Sequence, residues 1–344
     1  MSERRHDVGH DFSEGATGGP GASVAVGTDL VPLAGGLKII DATMVERLLP
    51  MWEAVEVLDS AFADGLPASP LRPAFRAGAA ELLLMPSWGT QGVGVKIVTV
   101  APANADRGLP TISGAYVLFD PETQALSAVL DGQALTSLRT AAVSGVATHR
   151  LSPPQARDLV IFGAGAQARA HLESMVAVRG IRSLVVVSRN RDRAEGLLTR
   201  GRELGLEVRV GSPADVASAD IICTTTTSAT PVFSCSDLQS VVHINAVGSH
   251  HPAASELDVR TMAGASVWVE DRATAAREAG DVIQAVDAGM LSFDAVGELA
   301  ELCRGSAAST GRAERTVFKS VGLAGEDLVL AAEIVRRHEL EASL

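Results

Sequence analysis

A single strand-turn-helix segment constrains this 344-residue chain more than any other feature. The apolar run Leu159-Val-Ile-Phe162 is followed by Gly163-x-Gly165-x-x-Ala168 and then by residues of helical character. In such a turn the first glycine permits the tight bend, the second lets a pyrophosphate approach the backbone, and the small third residue lets the helix lie close to the strand. The segment predicts a Rossmann unit that binds a nicotinamide or flavin dinucleotide at a helix N-terminus.

The end of the second predicted strand indicates which dinucleotide binds. Ser188, Arg189 and Asn190 follow the apolar run Ser183–Val187, and no Asp or Glu stands there to accept from a free ribose 2′-hydroxyl. Hydroxyl, guanidinium and amide groups suit a 2′-phosphate instead. We therefore predict NADP(H) as the preferred cofactor, with NAD(H) as the alternative. Arg189 and Arg191 could also be solvated residues at the start of a helix.

The composition excludes several classes of protein. With 47% hydrophobic and 20% charged residues, the chain is long enough for two domains and a sizeable core. Its net charge of −12 and the lack of clustered Lys and Arg argue against binding to a nucleic-acid backbone. No run approaches the roughly 20 apolar residues that a membrane-spanning helix needs. The expected partner is a small molecule, and an anionic ligand must be met by a few placed cations.

The cysteines and the N-terminal residues indicate a reducing compartment. Cys223, Cys235 and Cys303 show neither metal-ligand spacing nor a disulfide framework. Residues 1–36 are rich in Gly, Ser, Asp and His, and they lack the apolar core of a secretory signal. We expect a flexible N-terminal tail over residues 1–36 and a cytoplasmic protein.

Beyond the tail, the pattern of apolar residues divides the chain into two α/β regions. Residues 37–150 begin with helical periodicity and continue with short runs rich in Val, Ile and Leu that predict strands of one sheet. Residues 151–317 alternate strands and helices, which predicts a doubly wound parallel sheet of the Rossmann type. Residues 318–344 contain a strongly periodic helix that we expect to return to the first region. The predicted fold class is α/β, with a Rossmann domain and a second, split α/β domain.

Five motifs in a fixed order carry a family resemblance. They are Gly94-Val-Lys96-Ile-Val-Thr-Val, Gly108-Leu-Pro-Thr111, Leu135-Thr-Ser-Leu-Arg139-Thr-Ala-Ala, Gly163-Ala-Gly-Ala-Gln167-Ala, and Val317-Phe-Lys-Ser-Val-Gly322 with Glu326-Asp327. From about residue 40 to its end the chain resembles the ornithine cyclodeaminase and mu-crystallin family, which includes cyclodeaminases, alanine dehydrogenases and ketimine reductases. The resemblance implies a homodimer in which the split domain carries the dimer sheet and much of the substrate site, across a cleft from the Rossmann domain.

The resemblance also implies that Arg72, Lys96 and Arg139 hold the carboxylate of an amino or imino acid. A guanidinium fork matches a carboxylate in two hydrogen bonds. Lys96 lies in a run of Val and Ile, where an unpaired ammonium would be costly, so we expect it to have an anionic ligand. The alternatives are a structural carboxylate partner or an exposed face for Lys96, and a helix-face salt bridge for Arg139.

Further residues are implied to contact the cofactor. They are Thr111 on the nicotinamide side, Ala166 and Gln167 at the pyrophosphate, Thr225 after the fourth Rossmann strand, Val247, Gly248 and Ser249 beneath the nicotinamide, and Val321 through its backbone. With Gly163, Gly165, Ser188, Arg189 and Asn190 they form the predicted cofactor site. Each could instead be ordinary packing, above all Val247 and Val321, because strand valines are usually core residues.

The chain departs from the ornithine cyclodeaminases at one position. Those enzymes carry an aspartate that shuttles protons and meets the substrate amine, and the resemblance places His250 opposite it. Histidine does not stay negative, but it can donate a proton to an imine nitrogen because its ordinary pKa of about 6.5 lies near working pH. His250 and His251 could also merely line a turn. We predict no metal site, because adjacent histidines rarely aim at one ion and no third ligand is evident.

These observations lead to three functional hypotheses. The first is an NAD(P)H-dependent oxidoreductase that reduces a carboxylate-bearing imine or cyclic ketimine, or interconverts an amino acid and a 2-oxo acid, with Lys96 or His250 as proton donor. The second is a cyclodeaminase of ornithine or a related diamino acid that releases ammonia. The third is a crystallin-like binding protein that keeps the cofactor site without turnover.

Overall fold

A computed structural model describes residues 36–305 and 314–343 of the chain. The expected flexible tail over residues 1–36 lies outside the described residues except for Gly36. None of the helices in the described ranges combines the length and the apolar character needed to cross a bilayer.

Six strands form a first, mixed sheet. They are β1 (Lys38–Ile40), β2 (Ala74–Ala77), β3 (Ala80–Gly89), β4 (Gly92–Val100), β5 (Ile112–Phe119) and β6 (Leu126–Asp131), in the spatial order β1-β6-β5-β4-β3-β2. All neighbours are antiparallel except β1 and β6, which are parallel. Successive side chains of β3, β4 and β5 point to opposite faces of this sheet, so every second residue shares a face.

Four helices share one hydrophobic core with the first sheet. They are α1 (Ala42–Leu48), α2 (Met51–Asp64), α3 (Gly132–Leu151) and the C-terminal α10 (Ala324–Ala342). Pro50 separates α1 from α2, because proline lacks the N–H that would continue α1 but suits the start of a helix. α10 packs on β3, β4 and β5, so the last helix returns to the first sheet.

Eight parallel strands form the second sheet. They are β7 (Asp158–Phe162), β8 (Ser183–Val187), β9 (Glu207–Val210), β10 (Ile221–Thr224), β11 (Val242–Ala246), β12 (Ser266–Val269), β13 (Gly297–Glu298) and β14 (Arg315–Lys319), in the order β13-β12-β14-β11-β10-β7-β8-β9. The intervening helices are α4 (Ala166–Val178), α5 (Arg191–Glu203), α6 (Val259–Ala263), α7 (Arg272–Glu278), α8 (Gly280–Asp287) and α9 (Leu299–Cys303). The direction of winding reverses between β7 and β10, and this confirms the predicted doubly wound α/β class.

The end of the second sheet differs from the predicted domain boundary at residue 317. β14 pairs with both β11 and β12 through Lys319, so the boundary falls inside a strand. The periodicity of the apolar residues does not reveal this, because β14 is only five residues long and begins and ends with the charged residues Arg315 and Lys319.

Candidate active site

A large cavity lies at the carboxyl ends of β7 and β10, where the direction of winding reverses, and we call it the switch-point cavity. It measures about 830 Å³. Its wall contains six of the predicted cofactor residues, namely Gly163, Gly165, Ser188, Arg189, Asn190 and Thr225. Crevices of this kind at the carboxyl edge of a parallel sheet are the usual dinucleotide sites of doubly wound folds.

The glycine turn shapes the floor of the switch-point cavity. Gly163 has a φ of +103°, and a Cβ there would lie 2.8 Å from the carbonyl oxygen of Thr225. A Cβ at Gly165 would meet nothing within 4 Å, so its absence leaves open space. No side chain caps α4 at Gly165. The first N–H groups of α4 can therefore receive a pyrophosphate, and the cradle fits a dinucleotide.

The far wall of the switch-point cavity is positive and polar. Asn190 caps α5 by accepting from the Arg193 N–H at 2.9 Å, so its side-chain oxygen is engaged in the helix. Arg189 and Arg193 line the cavity, and no Asp or Glu does. In the described part of the chain neither guanidinium makes an ion pair or a hydrogen bond. The sequence prediction missed Arg193, which lies in the first turn of α5, three residues after the cap Asn190.

A second cavity of about 300 Å³ lies between the two sheets, and we call it the inter-sheet cavity. It brings together eight predicted residues from distant parts of the chain: Arg72, Lys96, Arg139, Ala166, Gln167, Val247, His250 and Val321. The glycine turn joins the two cavities, because Gly163 and Gly165 line the first while Ala166 and Gln167 line the second. A dinucleotide that occupies the first cavity would thus reach the second.

The alternation of β-strand side chains builds one wall of the inter-sheet cavity. Lys96, Val98 and Val100 point to the same face of β4 and line the cavity. Leu83 and Met85 of β3 point the same way, since Met85 pairs with Lys96 and Leu83 with Val98. One cation therefore stands beside an apolar surface.

Lys96 is paired with a protein carboxylate. Its Nζ donates to Asp327 Oδ1 at 3.0 Å and Oδ2 at 2.8 Å, and both residues are buried. The ammonium is therefore not unpaired, and Asp327 is the structural carboxylate partner that stood as the alternative for Lys96. A role of Lys96 in substrate binding stays a prediction. Burial nevertheless lowers the pKa of Lys96 to about 8, against the opposing attraction of Asp327. The group is therefore able to give up a proton near neutral pH.

Arg139 shares the same buried network. Its Nη1 donates to Glu326 Oε2 at 3.2 Å, while its Nε lies 3.6 Å from Asp327 Oδ1, too far for a hydrogen bond. The guanidinium lies against Gly322, where a Cβ would come within 1.8 Å of Nη1 and where φ is +76°. Burial raises the pKa of Glu326 to about 8, so this carboxyl group is largely protonated at neutral pH.

Arg72 reaches the inter-sheet cavity from the segment before β2. Its Nε donates to Glu278 Oε1 at 3.2 Å, and its Nη2 donates to Glu278 Oε2 and to the carbonyl oxygens of Val321 at 3.1 Å and Gly322 at 3.3 Å. Glu278 ends α7, so this ion pair connects the first sheet to the second.

His250 is exposed at the edge of the inter-sheet cavity. Its pKa is lowered, first by desolvation and then by the positive charges of Arg72 and Lys319. The preceding residue is fixed, because Ser249 Oγ donates to Asp281 Oδ2 at 2.7 Å. The buried Lys319 lies 3.0 Å from the same Asp281 oxygen and 3.2 Å from Ser249 Oγ. The sequence prediction missed Lys319 and Asp281, because no local pattern indicates that these two residues pair.

Three predicted cofactor residues line neither cavity. Thr111 precedes β5, and its carbonyl oxygen accepts from the Ala101 N–H at 2.7 Å. The Gly248 N–H donates to Glu256 Oε2 at 2.7 Å, and Ser249 is buried. Gly248 and Ser249 thus support the loop that carries His250.

The inter-sheet cavity also has polar groups that the sequence prediction missed. Thr140 lines it together with Gln133, Thr136 and Ser137 of α3. Thr140 Oγ1 and Gln167 Oε1 are buried and have no hydrogen-bond partner among the residues that the structure describes. Buried polar atoms of this kind usually have a partner, so both are available to a ligand. Within the described ranges, no group of three or more His, Cys, Asp or Glu side chains could hold a metal ion.

Known proteins are similar to this chain in sequence and in fold. Residues 41–342 match the ornithine cyclodeaminase/mu-crystallin family. A Delta(1)-pyrroline-2-carboxylate reductase of Bacillus cereus is 36% identical over 314 residues, covering 88% of this chain and 96% of that protein. The structure of Thermococcus litoralis Delta(1)-pyrroline-2-carboxylate reductase in complex with NADH and L-proline has a TM-score of 0.83 at 31% identity, covering 89% of this chain and 98% of that one. An archaeal alanine dehydrogenase dimer with bound NAD has a TM-score of 0.83 at 28% identity, covering 90% and 97%.

The sequence match spans the second sheet, the first sheet except β1, and all five motifs. It includes the glycine turn of the switch-point cavity and the three cations of the inter-sheet cavity. The chain belongs to the ornithine cyclodeaminase/mu-crystallin family.

Proposed function

We propose that this protein uses NADPH to reduce cyclic α-imino acids of the Δ1-pyrroline-2-carboxylate class. The chain is an oxidoreductase of its family, and its relatives in Bacillus cereus and Thermococcus litoralis are reductases of that imino acid. The observation that carries the proposal is the inter-sheet cavity, where three cations stand beside an apolar wall next to the glycine turn. A volume of about 300 Å³ suits a small ligand.

The cations hold the substrate carboxylate. Lys96 and Arg139 share Asp327 with each other, and Arg72 keeps its Nη1 free of oxygen partners. The apolar side chains of Leu83 and Val98 pack against the ring methylenes. In the proposed binding mode, the carboxylate lies at the positive wall and the uncharged ring lies at the apolar wall.

Proton transfer falls to Lys96 or His250. When bound, the nicotinamide supplies the hydride that the imine carbon accepts. The imine nitrogen then needs a proton, and both side chains line the cavity. The pKa of Lys96, about 8, lies near working pH. The Thr140 hydroxyl can orient the substrate by a further hydrogen bond.

The same cavity does not favour a cyclodeaminase. A diamino acid would bring a second ammonium group, which requires an anionic partner. No Asp or Glu within residues 36–305 and 314–343 lines the inter-sheet cavity, and His250 occupies the place that the family resemblance gives to an aspartate. The third hypothesis, a binding protein without turnover, would leave the three cations without a role in a reaction.

The proposed preference for NADPH rests on the wall of the switch-point cavity. Arg189 and Arg193 offer two guanidinium groups without protein partners, and no carboxylate lines the cavity to repel a 2′-phosphate. The comparison structures contain NADH and NAD, so NADH is the cofactor to test against NADPH.

A second copy of this chain is the proposed partner of the outer face of the first sheet. Phe75 pairs with Leu82, Leu84 with Ile97, and Trp88 with Val93, so these side chains share the face opposite Lys96. Phe75 is 51% and Trp88 50% exposed. Apolar patches of this kind mark protein interfaces, and the alanine dehydrogenase relative is a dimer. Light scattering on the eluted protein tests this, and a monomeric wild type would contradict it.

The reaction is tested by following NADPH absorbance with Δ1-pyrroline-2-carboxylate, Δ1-piperideine-2-carboxylate, or pyruvate with ammonia. The same reactions with NADH measure the cofactor preference, and ornithine with an ammonia assay tests the cyclodeaminase. Oxidation of NADPH by a cyclic imino acid is expected. Ammonia release from ornithine without net cofactor change would contradict the proposal, and tighter binding of NADH would contradict the preference.

A further inference from the structure

Arg72 stands between two cavities of very different size. It lines the inter-sheet cavity of about 300 Å³ and also a small cavity of about 20 Å³ behind it. Glu278 lines only the small cavity. Its carboxylate therefore contacts Arg72 from the side away from the substrate, and it does not compete for the face that looks into the inter-sheet cavity.

The hydrogen bonds of the Arg72 guanidinium are divided by direction. Nε and Nη2 are used by the two oxygens of Glu278 and by the carbonyl oxygens of Val321 and Gly322. Nη1 has only the Met85 sulfur, at 4.0 Å. Because a guanidinium is planar and rigid, fixing Nε and Nη2 also fixes the direction of Nη1. Within the described residues, Nη1 is the one nitrogen of this guanidinium without an oxygen partner.

Glu278 and Arg72 also come from different parts of the fold. Glu278 ends α7, which belongs to the second sheet, whereas Arg72 precedes β2 of the first. Both side chains are about four-fifths buried, at 20% and 21% exposure. A bidentate pair in such surroundings holds its partners more firmly than an exposed one.

We propose that Glu278 is a positioning residue for substrate binding. It fixes the plane of the Arg72 guanidinium from behind and so directs Nη1 at the place of the substrate carboxylate. This inference rests on the proposed function, because it requires that Arg72 bind that carboxylate. Glu278 itself touches neither substrate nor cofactor.

The test compares E278A and E278Q with the wild type in full-length protein. Without the carboxylate, Arg72 loses its orientation, so E278A raises KM for Δ1-pyrroline-2-carboxylate about tenfold while kcat changes less than twofold. E278Q keeps one acceptor oxygen and gives an intermediate KM. Calorimetry with pyrrole-2-carboxylate, a planar analogue without a reducible imine, measures the same loss as an increase in Kd.

E173Q is the matched control. Glu173 pairs with Arg200 at 2.5 Å, with side chains 28% and 30% exposed, and it lines neither large cavity. The E173Q substitution removes a comparable ion pair, and we expect it to leave KM and Kd unchanged. Thermal melts show whether all variants fold. E278Q, which is nearly isosteric, keeps the comparison available if E278A is unfolded.

The outcomes separate the inference from the proposed function. A wild type that turns over the imino acid, with KM and Kd unchanged in E278A and E278Q, overturns the inference alone. A lower KM in E278A also overturns it, because Glu278 would then compete with the substrate. A wild type that neither binds the analogue nor oxidises NADPH overturns both.

Discussion

The two cavities hold their positive charges in opposite ways. In the switch-point cavity, Arg189 and Arg193 are exposed and unpaired among the described residues. In the inter-sheet cavity, Lys96, Arg139 and Arg72 each lie against a buried or half-buried carboxyl group. Water solvates an exposed guanidinium at little cost, whereas a buried cation requires a partner. The switch-point cavity can therefore bind a phosphate directly, while the inter-sheet cavity must share its cations between protein carboxyl groups and substrate.

Protonation of Glu326 is one way in which the inter-sheet cavity can make its cations available to a substrate. Its raised pKa, about 8, means that Glu326 is mostly neutral at pH 7. A neutral Glu326 competes less with a substrate carboxylate for Arg139. The charge balance of the inter-sheet cavity therefore depends on burial, whereas Arg189 and Arg193 of the switch-point cavity are exposed.

Replacing Lys96 is expected to have the largest effect. K96M removes both a carboxylate ligand and a candidate proton donor, so kcat/KM for imine reduction falls roughly 10³-fold. It also leaves Asp327 buried without its ammonium partner, which costs about 3–5 kcal/mol of unfolding free energy. K96M/D327N restores stability but not activity. Normal turnover by the folded K96M enzyme would remove Lys96 from the mechanism.

Replacing His250 is expected to have the next largest effect. If His250 gives the proton to the imine nitrogen, H250N lowers kcat roughly 10²-fold and leaves NADPH affinity unchanged. H251N is the matched control, because His251 does not line the inter-sheet cavity. Equal rates for H250N and H251N would assign proton transfer to Lys96.

Replacing the arginines of the switch-point cavity is expected to change only the affinity for the cofactor. R189A and R193A each weaken NADPH binding about tenfold and leave NADH binding nearly unchanged, because only the 2′-phosphate needs the guanidinium groups. R191A is the control, since Arg191 does not line the switch-point cavity. Equal losses for both cofactors would show that these residues do not recognise the 2′-phosphate.

A shift of the pH profile is the smallest expected effect. Lys96 is protonated below its pKa of about 8, so if it is the donor, the rate of reduction falls as the pH rises through that value. Asp327 raises this pKa, while Arg139 lowers it and Glu326 raises it weakly. D327N therefore moves the alkaline limb of kcat/KM about one unit to lower pH. A shift in the other direction, measured between pH 6 and 10, would contradict the assignment.

The fold was more predictable from the sequence than the charge network was. The motifs predicted the α/β class and the family, and alternation along β4 explains why Lys96 faces inward with Val98 and Val100. The sequence could not show that Thr111 lies outside both cavities, because its position depends on how β5 pairs with β4. The roles of the predicted site residues stay predictions until the variants are measured.

What the sequence by itself determined is local. The glycine turn, the arginines after β8 and the absence of an acidic residue there all lie within about 30 consecutive residues, where spacing alone sets geometry. Only the tertiary structure decided which carboxylates serve the cations. Asp327 lies 231 residues from Lys96, Glu278 lies 206 from Arg72, and Glu326 lies 187 from Arg139. Such pairs form because burial makes an unpaired charge costly, and burial depends on the packing of α7 and α10 against distant strands.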